Sequence, residues 1–263
     1  MAQDKKVEER LLRKEKRYDI ERRIREKRSE EYEVLEEVFD KPTLMTIYHF
    51  MNTGIVEKIY GVVNSGKESR IYHGTAPNKQ ELAIKIYLVV SAEFKRGMLT
   101  YIQGDPRFKR IRRDTKSLIY AWALKEYKNL QKAYASGVRV PKPIAVQNNV
   151  LVMEFVGENG VSAPLLREVQ LENPAEVYQA LLGVMKTFYQ RAKLIHGDLS
   201  EYNIMVWRGE LVLFDVSQAV PLEHPLAEQL LRRDIGNLNY YFEKMGVQVN
   251  TIEDVYRWVT QSG

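Results

Sequence analysis

Cysteine is absent from this chain of 263 residues, so neither a disulfide nor a thiolate metal site can form. Histidine is scarce. The four present (His49, His73, His196 and His224) never fall at H-x-x-x-H spacing, which excludes a zinc site of that kind. No apolar run is long enough to span a bilayer. Charge, not an apolar stretch, follows Met1, which argues against a secretory signal. Together these absences point to a cytoplasmic protein with no disulfides and no membrane partner. What remains is 44% hydrophobic and 29% charged, a soluble globular composition with enough chain for one large domain or two lobes.

The net charge of +5 is unevenly placed. Residues 95–116 hold eight Lys or Arg against two acids, an excess larger than that of the whole chain. A polyanion can bind there, and a solvated loop accounts for the same residues equally well. Residues 4–31 carry twelve basic and nine acidic side chains with few apolar points, so a charged helical or mobile extension is expected over 1–33. Glu9 and Arg13, like Asp19 and Arg23, are i,i+4 pairs of favourable polarity.

The folded body is expected from Val34. Thr43 is the expected cap of a helix reaching Met51. Three apolar or β-branched runs, Ile55–Asn64, Ser69–Ala76 and Glu81–Val90, predict an antiparallel meander. Residues 91–116 contain Gly97, Gly104 and Pro106 and read as a long, flexible basic loop. A helix is predicted over Lys116–Ser136, then a hairpin of Pro143–Gln147 and Val150–Phe155 turning at Asn148-Asn149. Gly157-Glu158-Asn159-Gly160 breaks the pattern as a hinge. Beyond it the chain turns helical, with Asn173-Pro174 opening one helix, Leu226–Met245 forming another and Thr251 capping a last one. The reading is α+β and two-lobed: a β-rich lobe with one long helix over 34–157, and a mainly helical lobe over 158–263.

Two loops carry the chemistry. His196-Gly197-Asp198-Leu199-Ser200-Glu201-Tyr202-Asn203 sets an Asp and an Asn five positions apart between apolar runs, and Asp215 ends the run Leu211–Phe214. An Asp that orients a hydroxyl, with an Asn and a second Asp that hold Mg²⁺, is what phosphoryl transfer needs. Turn and cap formation accounts for any one of them alone. Upstream, Lys85 lies within an apolar strand and either snorkels to the surface or pairs with a carboxylate. Glu126 in the long helix is the fitting partner, while Glu81 begins the strand. Gly61-Val62-Val63-Asn64-Ser65-Gly66-Lys67-Glu68 nearly matches G-x-x-x-x-G-K-[ST], but Glu68 stands where a metal-binding hydroxyl is required and a strand follows. A strand–turn–strand flap over phosphates fits better, and a plain hairpin turn is the alternative.

Read in order, Ala83-Ile84-Lys85, Glu126, Met153-Glu154-Phe155-Val156, His196-Gly197-Asp198, Asn203 and Asp215 follow protein-kinase order. Three variants make the chain resemble the RIO family of atypical serine/threonine protein kinases over about 45–245. These are Asn64-Ser65-Gly66-Lys67-Glu68-Ser69, the stretch 196–203, and Phe214-Asp215-Val216-Ser217-Gln218. The segment Tyr101–Phe108 resembles the type-1 branch of that family, in its archaeal form.

The resemblance implies a two-lobed kinase-like fold with a truncated helical lobe. It implies ATP with Mg²⁺ (or Mn²⁺), Asp198 as catalytic residue, and Asn203 and Asp215 as metal ligands. Ser65, Lys67, Lys85 and Glu126 are implied on the phosphate side, and Met153, Glu154 and Val156 around the adenine. Asp215 is also implied as the site of an aspartyl-phosphate, and Asp234 as a brace for the catalytic loop. The expected function is autophosphorylation and a part in maturing the small ribosomal subunit, with its precursor or rRNA as partner and the chain itself or another protein as substrate. Two alternatives stay open: an ATPase switch on that particle, and an RNA-binding scaffold with a vestigial site. Gly197 departs from the Arg of H-R-D. No A-P-E-like segment lies in the 48 residues after Asp215, so much of the usual peptide platform is missing.

Overall fold

The three apolar or β-branched runs pair as strands. The computed structural model describes residues 39–88, 92–108, 111–112 and 114–261. The expected extension 1–33 and the expected start at Val34 lie outside them. The chain divides into two units, Met1–Tyr48 and His49–Gly263. Among the described residues the first contributes the opening of helix α1 (Lys41–Asn52). That helix starts ahead of the expected cap: the Asp40 carbonyl already accepts from Leu44 N at 2.9 Å, so Thr43 lies inside the first turn. Pro42, which has no N–H to satisfy, suits that turn.

In the second unit a sheet follows the end of α1. Strands β1 (Lys58–Ser65), β2 (Ser69–Thr75) and β3 (Glu81–Tyr87) form the meander, and β4 (Pro143–Gln147) with β5 (Val150–Glu154) extends it. The spatial order is β1-β2-β3-β5-β4, antiparallel throughout. β3 is central and buried at every position after Glu81. Its pleat separates Ala83, Lys85 and Tyr87 from Leu82, Ile84 and Ile86 on opposite faces. Leu151, opposite Lys85 on β5, is fully buried. Leu151→Ala is expected to destabilise by about 2–5 kcal/mol, read as a lower urea midpoint at unchanged slope.

The segment 91–116 is not the irregular loop expected. It holds helix α2 (Ala92–Ile102) and a short 3-10 turn, Pro106–Phe108. Glycine and proline dominated the sequence reading, yet Met98 and Ile102 recur at helical spacing and are buried with Phe108 against Trp122 and Ile119. Helix α3 (Thr115–Ala135) follows, its first turn capped by Asp114, whose side chain accepts from Ser117 N. One face of α3 carries Trp122, Lys125, Glu126, Asn129 and Ala133, all buried. Three polar side chains on a core-facing stripe require partners, and those partners build the site.

The break at 157–160 is a two-residue hairpin, β6 (Gly157–Glu158) against β7 (Val161–Ser162). A Cβ on Gly157 would lie 2.1 Å from the Val161 carbonyl oxygen. Then come α4 (Pro174–Gln190), β8 (Leu194–Ile195), the hairpin β9 (Ile204–Trp207) and β10 (Glu210–Leu213), β11 (Val220–Pro221), α5 (Ala227–Glu243) and α6 (Ile252–Thr260). Asn173 and Thr251 cap α4 and α6 as expected. Tyr178, Leu181, Phe188, Ile235, Leu238 and Phe242 form one core with Leu151 and Met153 of the sheet, so the sheet and the helices share a hydrophobic interior. This is the two-lobed, α+β arrangement expected.

Candidate active site

The β9–β10 hairpin sets the distance between the two loops. Its register places Ile204 opposite Leu213, and Phe214 N donates to the Asn203 carbonyl at 3.1 Å. Asn203 and Asp215 therefore emerge side by side from the two ends of one hairpin. The pairing of β8 with β11 holds the preceding residues, His196 to Asp198, beside Ser217 and Gln218.

Lys85 Nζ reaches across the cleft to two carboxylates, Glu126 at 2.9 Å and Asp215 Oδ1 at 3.0 Å. Burial works to lower the Lys85 pKa, but Asp215 and Glu126 outweigh it and hold the ammonium above its usual value. Burial raises Glu126 to about 7, against the pull of Lys85. Tyr87 donates its hydroxyl to the other Glu126 oxygen. Glu81 does not compete: it binds His73 and the backbone N–H groups of Asn159 and Gly160. Asp215 is also in the left-handed region, at φ 52 and ψ 57, a backbone state that costs a non-glycine residue about 1 kcal/mol. Lys85 and Ser217 Oγ, at 2.9 Å, both grip its Oδ1. Burial favours the neutral acid at Asp215, but Lys85 and Ser217 hold its pKa below the usual carboxylate value.

Asp198 faces this pair. Its main-chain carbonyl accepts from Asn203 Nδ2 at 2.7 Å, and its Oδ2 accepts from Gln218 Nε2 at 3.1 Å. Burial, and then Asp215, raise its pKa above the ordinary carboxylate range. With Asn203 Nδ2 committed to Asp198, the amide oxygen of Asn203 and the Oδ2 of Asp215 are two of the oxygens that could face a cation. Among the described residues no cluster of three or more His, Asp or Glu could hold a metal alone. Two hard oxygen donors still fit Mg²⁺, which completes its shell with water and phosphate oxygens.

A cavity of 560 Å³ lies beside these groups, lined by Val63, Asn64, Ala83, Met153, Val156 and Met205 and reaching Asn203 and Asp215. Its lining mixes apolar side chains with the carboxylate residues Glu154, Glu168 and Asp215. Met153 is buried. Glu154 lines it too, but its carboxylate turns toward Arg139, which binds it through two nitrogens at 2.7 and 2.8 Å. Burial acts to raise Glu154, yet Arg139 and the Lys142 N–H keep it low. The Val156 carbonyl accepts from Ala163 N. Ser65 ends β1, next to Asn64 of the cavity lining, and Lys67 lies on the β1–β2 turn; both are exposed.

Four features were missed by sequence reasoning. Glu68, considered only as a departure from a phosphate loop, has a pKa raised by burial and by the charges of Asp215 and Asp198, against the pull of Lys85. Lys125, next to Glu126, is fully buried and donates to the carbonyls of Ser217 and Ala219, while Asn129 binds those of Val216 and Ala219. Helix α3 is thereby stapled to the segment after Asp215. Gly197 is required by geometry: its φ is 78°, and a Cβ would approach the Gln218 carbonyl at 3.2 Å. Gln218 itself sat inside a quoted motif without a role. Only the polar positions on the α3 stripe could have signalled the staple.

Asp234 accepts from Gly197 N at 2.8 Å and Leu199 N at 2.9 Å, and Arg233 donates to the Gly197 carbonyl. Burial raises Asp234 to about 7, despite the two N–H donors. Below pH 4 it is protonated in both folded and unfolded chains. Between about 4 and 7 only the folded state keeps the proton, so its contribution to stability falls as pH rises through that window. Asp234→Asn should flatten this slope and cost about 1–3 kcal/mol, because one loop N–H loses its acceptor. Urea unfolding at pH 5 and pH 8 measures both effects. A slope identical to wild type would assign it to another group.

A family model described as RIO domain matches residues 70–255. The chain is 40% identical over 252 residues to the RIO-type serine/threonine-protein kinase Rio1 of Haloferax volcanii, covering 96% of this chain and 86% of the relative. It is 37% identical over 257 residues to the protein of the same name from Methanocaldococcus jannaschii, covering 98% and 84%. Among solved structures it is similar to the Rio2 kinase–ADP/Mg²⁺–phosphoaspartate complex from Chaetomium thermophilum. That match has a TM-score of 0.64 at 21% identity and covers 84% of this chain and 67% of the other, a likeness of fold.

Proposed function

The chain belongs to the RIO family of atypical serine/threonine protein kinases, and we propose that it transfers the γ-phosphoryl group of ATP, bound with Mg²⁺ or Mn²⁺, to a serine or threonine hydroxyl, its own included. The observation that carries this reading is the bridge from Lys85 to both Glu126 and Asp215, at 2.9 and 3.0 Å, beside a cavity of 560 Å³. The apolar lining residues Met153 and Val156, with the main chain of Glu154, receive the base. Lys85 neutralises phosphate oxygens, and Glu126 keeps it aimed. Ser65 and Lys67 cover the phosphates when the β1–β2 turn closes over them. Asn203 and Asp215 hold the metal, which supplies charge neutralisation at the phosphates. Asp198 accepts the proton of the attacking hydroxyl.

A second reading has Asp215 itself take the phosphoryl group, making the protein an ATPase switch. It is favoured by the half-exposed Asp215 side chain and by the phosphoaspartate that the similar Rio2 complex contains. In either form the chain acts, in this proposal, in the cytoplasm on a small ribosomal subunit precursor or its rRNA, drawn by the basic residues of 95–116. The experiment is ATP turnover with and without purified small ribosomal subunits, followed by hydroxylamine treatment of the labelled protein. Acid-stable label on Ser or Thr supports the kinase, and hydroxylamine-labile label supports the switch. No effect of subunits on either would remove the ribosomal role.

A further inference from the structure

Arg139 lies on the connector from α3 to β4, half-buried between Val138 and Val140, which are both in the core. Three sets of bonds leave this one residue. Its guanidinium donates to both oxygens of Glu154, at the end of β5, from Nη2 at 2.7 Å and from Nη1 at 2.8 Å. Its Nε donates to Glu210 Oε2 at 3.2 Å, at the start of β10. Its carbonyl accepts from Leu213 N at 3.0 Å, at the end of β10. Arg139 therefore holds both ends of the strand that leads into Asp215, and ties them to the residue that precedes Phe155 and Val156.

A second cavity, of 520 Å³, lies behind Glu154, lined by Arg139, Lys142, Trp207 and Glu210 together with Glu154 and Phe155. Glu154 and Phe155 line the 560 Å³ cavity as well, so they form a wall between the two. With open space on both sides, bonds rather than packing locate the Glu154 side chain. Another link between this wall and β10 is apolar, Val212 against Val156 and Ala163. Apolar contact is non-directional and tolerates sliding. A planar guanidinium bonded to two carboxylates does not, because each of its N–H groups has a fixed direction.

We propose that Arg139 is a positioning residue, which fixes the separation between the base-binding end of the site (Met153 to Val156) and its metal-binding end (Asn203 and Asp215). This rests on the phosphoryl-transfer reading above. Asn203 and Asp215 emerge from the two ends of one hairpin, so holding β10 holds both. A nucleotide has a limited reach from base to phosphates. A cleft held at that reach engages both ends at once, whereas a cleft free to slide loses affinity in bringing them into line.

The test compares two ligands by calorimetry. Adenosine reaches only the base end; ADP with Mg²⁺ must reach both, and it is not turned over. Arg139→Met removes every guanidinium bond and leaves the main-chain link to Leu213. Glu210→Ala cuts only the arm to β10 and leaves the pair with Glu154. Arg139→Met should raise the ratio of the Kd for ADP with Mg²⁺ to that for adenosine about 10-fold, while adenosine affinity stays within about 2-fold of wild type. Glu210→Ala removes a more exposed bond and should raise the ratio about 3-fold. Arg139→Lys, which keeps the charge without the fork, takes the place of Arg139→Met if that variant does not fold. A merely structural role would weaken both ligands alike. Equal weakening, or an unmoved ratio in any of these variants, overturns the proposal and leaves the site reading standing. A wild type that binds ADP with Mg²⁺ no more tightly than adenosine makes the site reading fail first.

Discussion

Asp198→Asn is expected to lower phosphoryl transfer from ATP by about 10³-fold, within the range for loss of a general base, while ATP still binds. The reason is local. The substituted amide keeps the shape that Gln218 and Asn203 contact, but it cannot take a proton from an incoming hydroxyl. About 10³ in rate is about 4 kcal/mol of transition-state stabilisation. The Lys85–Glu126 pair and the cavity at Met153 are untouched, so nucleotide affinity should stay within a few-fold. Transfer of ³²P from labelled ATP, with nucleotide binding measured by calorimetry, reads the two quantities separately. Retention of full activity would remove Asp198 from the chemistry.

Asp215→Asn should act on a different quantity. Asp215 contributes a negative charge that neutralises Lys85 and that, in the proposed site, would hold the metal. Its removal should raise the Mg²⁺ concentration needed for half-maximal turnover at least 10-fold. Turnover itself should fall about 10²-fold or more, as for other losses of electrostatic stabilisation. Any hydroxylamine-labile phosphate should vanish with it. The two variants are thus distinguishable: Asp198→Asn slows the reaction at every Mg²⁺ concentration, whereas Asp215→Asn shifts the Mg²⁺ dependence. An unchanged Mg²⁺ dependence in Asp215→Asn would place the metal elsewhere.

Most strands and helices were legible because their signals are local. Apolar or β-branched runs marked β1 to β3, Asn173-Pro174 and Thr251 marked helix starts, and Asn148-Asn149 marked a turn. The resemblance named the residues that the fold brings into one cleft: Lys85, Glu126, Asp198, Asn203 and Asp215 come from four separate parts of the chain. Two kinds of feature were not legible. One is helix α2, where Gly97, Gly104 and Pro106 outweighed the spacing of Met98 and Ile102, a helix fixed by packing on α3. The other is the set of polar contacts between distant segments. Lys125 and Asn129 reach carbonyls about 90 positions away, and Gln218 meets Asp198 across a β-pairing. Main-chain carbonyls leave no trace in side-chain identity, so no pattern of residue types announces such partners.

The central claim is that Lys85, Glu126, Asp198, Asn203 and Asp215 form one site that moves the γ-phosphoryl group of ATP with a divalent cation. Its most direct test is the fate of the label when the wild-type chain is incubated with [γ-³²P]ATP, with Mg²⁺ and with excess EDTA. The expected result is label on the protein or in released phosphate that depends on Mg²⁺ and disappears with EDTA. Label that stays entirely in ATP with Mg²⁺ present would contradict it.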